Sequence, residues 1–89
     1  MSKINTIYIT GKMGAGKTFL ATALELLYVR HCKTVARIDD PWLPRDAKKI
    51  HAASKRYDYV IVTLPSVNGV SGLPPALKKI RVTGKFALL

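Results

Sequence analysis

The chain has 89 residues, 48% of them hydrophobic, with fifteen Lys and Arg against five Asp and Glu for a formal net charge of +10. This composition excludes a disordered chain, the length allows one domain with a modest core, and the single cysteine, Cys32, excludes an internal disulfide framework. No apolar run approaches the ~18 residues of a membrane span, and residues 1–10 lack the apolar core and cleavage site of a secretory signal, so a cytoplasmic protein is expected.

Ile4 to Thr10, rich in β-formers, predicts a first strand. It runs into ITGKMGAGKT, Ile9 to Thr18, which fits the spacing G-x-x-x-x-G-K-[ST] at Gly11, Gly16, Lys17 and Thr18. With average residue usage this spacing arises by chance in roughly 0.003 of chains of this length. A helical apolar pattern begins at Lys17, completing the order strand, glycine-rich turn, helix N-terminus that a phosphate-binding loop needs. The glycines, Gly14 among them, let successive N–H groups approach a polyphosphate. Lys17 then reaches the β- and γ-phosphates, and the Thr18 hydroxyl completes a Mg2+ shell. The alternative is a glycine turn beside a solvated lysine.

Phe19, Leu20, Ala23, Leu24, Leu26, Leu27 and Tyr28 leave the following helix hardly any polar face, which predicts burial on most sides as far as His31 to Lys33. Thr34 to Ile38 reads as a second strand ending in Asp39-Asp40-Pro41, followed by a stiff connector of Trp42, Leu43 and Pro44. Arg45 to Arg56 predicts an amphipathic helix that turns Ala47, Ile50 and Ala53 to a sheet and its basic residues to water. The near-continuous apolar run Tyr57 to Leu64 is that of a strand covered on both faces. Pro65 to Gly72 reads as a loop, Pro74 to Ile80 as a short helix with proline in its first turn, and Lys85 to Leu89 as a last strand.

The order β-α-β-α-β-α-β predicts an α/β fold spanning residues 1–89 as one domain. Its form is a small three-layer arrangement, a mostly parallel sheet of about four strands with helices on both faces. A ligand then binds at the carboxyl ends of the strands, where the glycine loop, Asp39-Asp40 and Thr63 all fall.

Three segments together resemble the ParA/MinD family of ATPases, over roughly the first 70 residues. KMGAGKT, Lys12 to Thr18, is similar to that family's deviant Walker A loop with its extra lysine. RIDDP, Arg37 to Pro41, looks like a shortened I-D-x-D-P segment, and YDYVIVTLPS, Tyr57 to Ser66, resembles the Walker B strand. Met13 replaces a usual glycine, and Thr63 stands where the family has its Walker B aspartate. The loop alone is also similar to that of filamentous-phage assembly ATPases related to zonula occludens toxin, which suggests a viral or mobile-element origin. The ParA/MinD resemblance implies that the backbone of Met13, Gly14, Ala15, Gly16, Lys17 and Thr18 holds the phosphates of ATP or GTP, with Thr18 on Mg2+. It further implies that Lys12 reaches across a homodimer interface to the partner's nucleotide and that Asp39 positions water or metal. For Lys12 a plain solvated side chain, and for Asp39 an Asp-Pro turn or helix cap, remain the alternatives.

The expected function is therefore nucleoside triphosphate binding with slow or no hydrolysis, a weak NTPase at most, because Thr63 offers a neutral hydroxyl where a metal-organising carboxylate is needed. The alternative is a non-enzymatic basic module that contacts a host protein or nucleic acid, in keeping with the charge of +10. His31, Cys32 and His51 lack metal-ligand spacing, and Asp58 precedes its strand, where capping or surface pairing is expected.

Overall fold

The computed structural model describes residues 4–11, 16–39, 44–64 and 72–82. Strands β1 (Thr6–Thr10), β2 (Val35–Asp39), β3 (Tyr59–Leu64) and β4 (Ala76–Arg81) and helices α1 (Lys17–Arg30) and α2 (Pro44–Arg56) follow in the order β1-α1-β2-α2-β3-β4. A strand as apolar as β3 has no face it can show to water, so it must lie inside a sheet and between two layers. It does: the sheet order is β2-β3-β1-β4, all pairs are parallel, and Val60, Ile61, Val62 and Leu64 are buried.

Side-chain alternation then divides the core in two. Ile7, Ile9 and Ile61 point to the face covered by α1 through Leu20, Ala21, Leu24 and Tyr28, where Tyr28 stacks on Tyr59 with ring centroids 4.0 Å apart. Tyr8, Val60, Val62 and Leu64 point to the other face, covered by Ile50 and Ala53 of α2. The step from β1 to β2 and the step back from β2 to β3 run in opposite directions across the sheet. Two right-handed crossovers of opposite direction put their helices on opposite faces.

Two sequence expectations are corrected. α1 is not buried on most sides: of its residues only Ala21 is fully buried, and Phe19, Leu26, Leu27 and Val29 are exposed. The sheet covers one side of this helix, and no described element lies over the other. The segment Pro74 to Ile80 is not a helix but leads into strand β4. Its Ala, Leu and Lys are good helix formers, yet β1 is buried and would leave one edge of backbone N–H and C=O groups orphaned without it. Pro75 also holds Pro74 in extended backbone, feeding a strand rather than a turn of helix. The Val82 N–H donates to the Thr10 carbonyl at 2.7 Å, closing the pairing beyond the end of β4. The strand expected over Lys85 to Leu89, and the connector at Trp42, lie outside the described residues.

The amino end of the sheet is tied by polar groups. The Asn5 side-chain amide donates to the carbonyls of Ser54 at 2.9 Å, Tyr57 at 2.9 Å and Asp58 at 3.1 Å, closing the C-terminus of α2. Thr34 and Asp58 exchange hydrogen bonds across the starts of β2 and β3: the Thr34 N–H donates to Asp58 Oδ2 at 2.8 Å and the Asp58 N–H to Thr34 Oγ1 at 2.9 Å. These ties occupy residues 57 and 58, so β3 begins at Tyr59 rather than at Tyr57. On the α2 face the buried Tyr8 hydroxyl donates to the Pro74 carbonyl at 2.6 Å, and its burial pushes its pKa up to about 12.

Removing Asn5 deprives the buried Ser54 carbonyl and two part-buried carbonyls of their donor. Asn5→Ala is expected to lower unfolding free energy by about 2–3 kcal/mol, read as a fall in urea midpoint at constant slope. A loss below about 0.5 kcal/mol would show that the tie is dispensable.

Candidate functional site

The strand register sets the site. Ile9 on β1 stands opposite Thr63 on β3, and Thr63 stands opposite Asp39 on β2, so the three residues form one row near the carboxyl ends of three neighbouring strands. All three belong to the α1 face: Ile9 and Ile61 lie in the core beneath α1, and Asp39 follows Val35 and Arg37 on the same side of β2. At this end the Thr63 hydroxyl, buried with its residue 3% exposed, donates to Asp39 Oδ1 at 2.8 Å. The carboxylate at this row thus comes from β2, and the β3 hydroxyl holds it.

Beyond β1 the chain leaves through Gly11, at φ 154°, and enters α1 through Gly16, at φ 96° and ψ 18°. Gly16 is the helix cap in left-handed backbone, a conformation costly for any residue with a Cβ. Its carbonyl accepts the first helical hydrogen bond, from Leu20 N–H at 3.1 Å. Among the described residues the helix start carries no side-chain cap hydrogen bond, and its first turn holds no acidic residue. Lys17, half-buried, and Thr18, exposed, occupy that first turn. Lys12, Met13, Gly14 and Ala15, expected to line the loop, lie outside the described residues.

A third group completes the network. The Arg37 guanidinium donates through one terminal nitrogen to Thr22 Oγ1 at 3.1 Å and Glu25 Oε1 at 3.2 Å, both on α1. Through the other it donates to Asp39 Oδ1 at 3.2 Å. Sequence reasoning missed Arg37, Thr22 and Glu25. The spacing of Arg37 and Asp39 puts both on one face of a strand and is a signal for the first pair; nothing in the sequence specifies which α1 residues lie above them. The expectation that Asp58 pairs locally is met by its bonds to Thr34.

Among the described residues no three His, Cys, Asp or Glu side chains gather as a self-sufficient metal site. Mg2+ needs no such cage, since it is usually held by one or two carboxylates together with substrate phosphates. The Thr18 hydroxyl and Asp39 carboxylate are hard oxygen donors of the type it takes. In comparison with known proteins, no family model matches the chain, and no curated protein or solved structure shows significant similarity to it. No described helix is long and apolar enough to cross a membrane.

Proposed function

We propose that this protein binds a nucleoside triphosphate, ATP or GTP, with Mg2+ at the β1–α1 connection and hydrolyses it slowly or not at all. The observation that carries the reading is the hand-over from β1 through Gly16 in left-handed backbone to an α1 start without side-chain cap or acid, with Lys17 and Thr18 in its first turn. The N–H groups and partial positive charge of a helix start attract an anion, and the adjacent lysine adds a full charge. Bound Mg2+ would supply charge neutralisation to the phosphates. Thr18 and Asp39 are the residues of this chain suited to hold it.

Slow turnover follows from where the carboxylate sits. A carboxylate on β3 would stand next to β1, whereas Asp39 is one strand further, about 4.8 Å, and shares its charge with Arg37. Loose organisation of charge around a phosphoryl group costs roughly 10²–10³ in rate. The protein is therefore described as a nucleotide binder first and a weak NTPase at most.

The resemblance also implies a homodimer. The face of α1 turned away from the sheet, with Phe19, Leu26 and Val29 exposed, begins beside Gly16 to Thr18, so a second copy seated there would meet the nucleotide loop. Light scattering at high micromolar concentration is expected to give a dimer, and Leu26→Ser a monomer. A monomeric parent with and without nucleotide rejects this part of the proposal.

Calorimetry with Mg-ATP and Mg-GTP is expected to show binding that Lys17→Ala weakens by about 10–100-fold, the worth of a hydrogen bond to a charged group. Equal affinity in parent and variant sinks the reading. The exposed cations Lys48, Lys55 and Arg56 on α2 and Lys78, Lys79 and Arg81 on β4 favour the second reading, a nucleic-acid-binding module. Salt-dependent binding of DNA or RNA that is indifferent to Lys17→Ala would select it.

Steady-state turnover is expected below about 1 s⁻¹, the low end of ordinary enzymes. The double substitution Thr63→Asp with Asp39→Asn moves the carboxylate one strand toward the loop and keeps a hydrogen-bonding partner beside it. It is expected to raise the rate at least about tenfold, and parental turnover above the stated limit contradicts the proposal.

A further inference from the structure

We propose that Arg37 is a positioning residue, which fixes the Asp39 carboxylate for the metal side of the nucleotide site and couples it to α1. The inference rests on the nucleotide-binding reading above and extends it to a residue that touches neither phosphate nor metal.

A guanidinium is expensive to withdraw from water, and Arg37, with its side chain 19% exposed, is largely withdrawn. Two carboxylates compensate it, Glu25 at 3.2 Å and Asp39 at 3.2 Å, yet its buried Nε has no hydrogen-bond partner among the described residues. As a stabilising device this is poor: ion pairs at partly exposed positions contribute little, and the orphaned Nε costs part of what they give. What the arrangement does achieve is orientation. Asp39 Oδ1 accepts from two directions at once, Thr63 Oγ1 at 2.8 Å and Arg37 at 3.2 Å, which fixes the plane of the carboxylate. Arg37 also reaches Asp39 Oδ2 at 3.4 Å, and because a carboxylate has about four acceptor sites these three contacts orient it without exhausting it. Only a planar, forked donor spans Thr22, Glu25 and Asp39 together, and a lysine ammonium does not.

The other end of the fork explains the coupling. Thr22 and Glu25 belong to the helix that starts at Lys17, so a ligand that settles the first turn of α1 also settles the residues that hold Arg37. Arg37 therefore ties the carboxylate on β2 to the helix beginning at the glycine loop. Groups that orient a metal-side carboxylate typically change metal affinity by 10–100-fold when removed.

The test measures nucleotide affinity by calorimetry in excess Mg2+ and again in EDTA, for the parent and for Asp39→Asn, Arg37→Gln and Glu25→Gln. Electron paramagnetic resonance of Mn2+ in place of Mg2+ reports the metal directly. The parent is expected to bind more tightly with metal, and Asp39→Asn to lose that advantage. Arg37→Gln is expected to reduce it about tenfold, with affinity in EDTA unchanged, and Glu25→Gln to reduce it by a smaller factor in the same direction. Circular dichroism verifies folding. Should Arg37→Gln not fold, Glu25→Gln, at a half-exposed position, carries the same comparison. The proposal is overturned if the Arg37 and Glu25 variants keep the parental metal advantage, or if they weaken binding equally in Mg2+ and EDTA, as a purely structural role would. A parent with no Lys17-dependent binding at all instead rejects the nucleotide reading beneath it.

Discussion

Parallel hydrogen bonding of β1 to β3 is the constraint from which the other features of the fold descend. Both strands are buried, and a buried backbone must find partners for every N–H and C=O group. β3 meets that demand by entering between β2 and β1, and β1 meets it by taking β4 on its other edge. The pairing register then leaves no freedom at the carboxyl ends, where Ile9, Thr63 and Asp39 must form a row. The insertion of β3 also reverses the direction of travel across the sheet, which sends α1 and α2 to opposite faces. A different partner for β3 would disperse Thr63 and Asp39 and remove the 2.8 Å hydrogen bond between them.

The two ends of the sheet are built differently. At the amino ends Asn5, Thr34 and Asp58 satisfy backbone groups of the junctions, a use of polar side chains that fixes geometry and leaves little for a ligand. At the carboxyl ends the polar groups bond to one another through side chains, and α1 starts from a glycine with no side-chain cap. That contrast is the physical basis for the proposal that a ligand binds at the carboxyl ends while the amino ends fix the fold. The exposed apolar residues of α1 lie on the side of that helix that the sheet does not cover.

Much of this was legible in the residues. The alternation of strands and helices, the apolar run of β3 and the inward face of α2 at Ala47 and Ile50 follow from periodicity, because burial on one or two faces imposes a fixed spacing. Gly11 and Gly16 were legible as special positions between β1 and α1, where both have the positive φ that glycine adopts readily. Thr63 was legible only as a neutral hydroxyl at a strand end. In the sheet that hydroxyl donates to the carboxylate of Asp39 on the next strand.

The sequence by itself determined the fold class, the place of the glycine loop before α1 and the basic character of the surface. Each depends on local spacing or on composition, which the chain carries whatever its tertiary path. Only the tertiary structure decided that Ala76 to Arg81 is a strand, that α1 is covered on one side, and that Arg37 joins α1 to Asp39. Those outcomes depend on which edge of β1 lacked a partner, on how many layers formed and on the register of β2 against β3. Such contacts between residues distant in the chain are set by the packing of whole elements, and no short stretch of sequence encodes them.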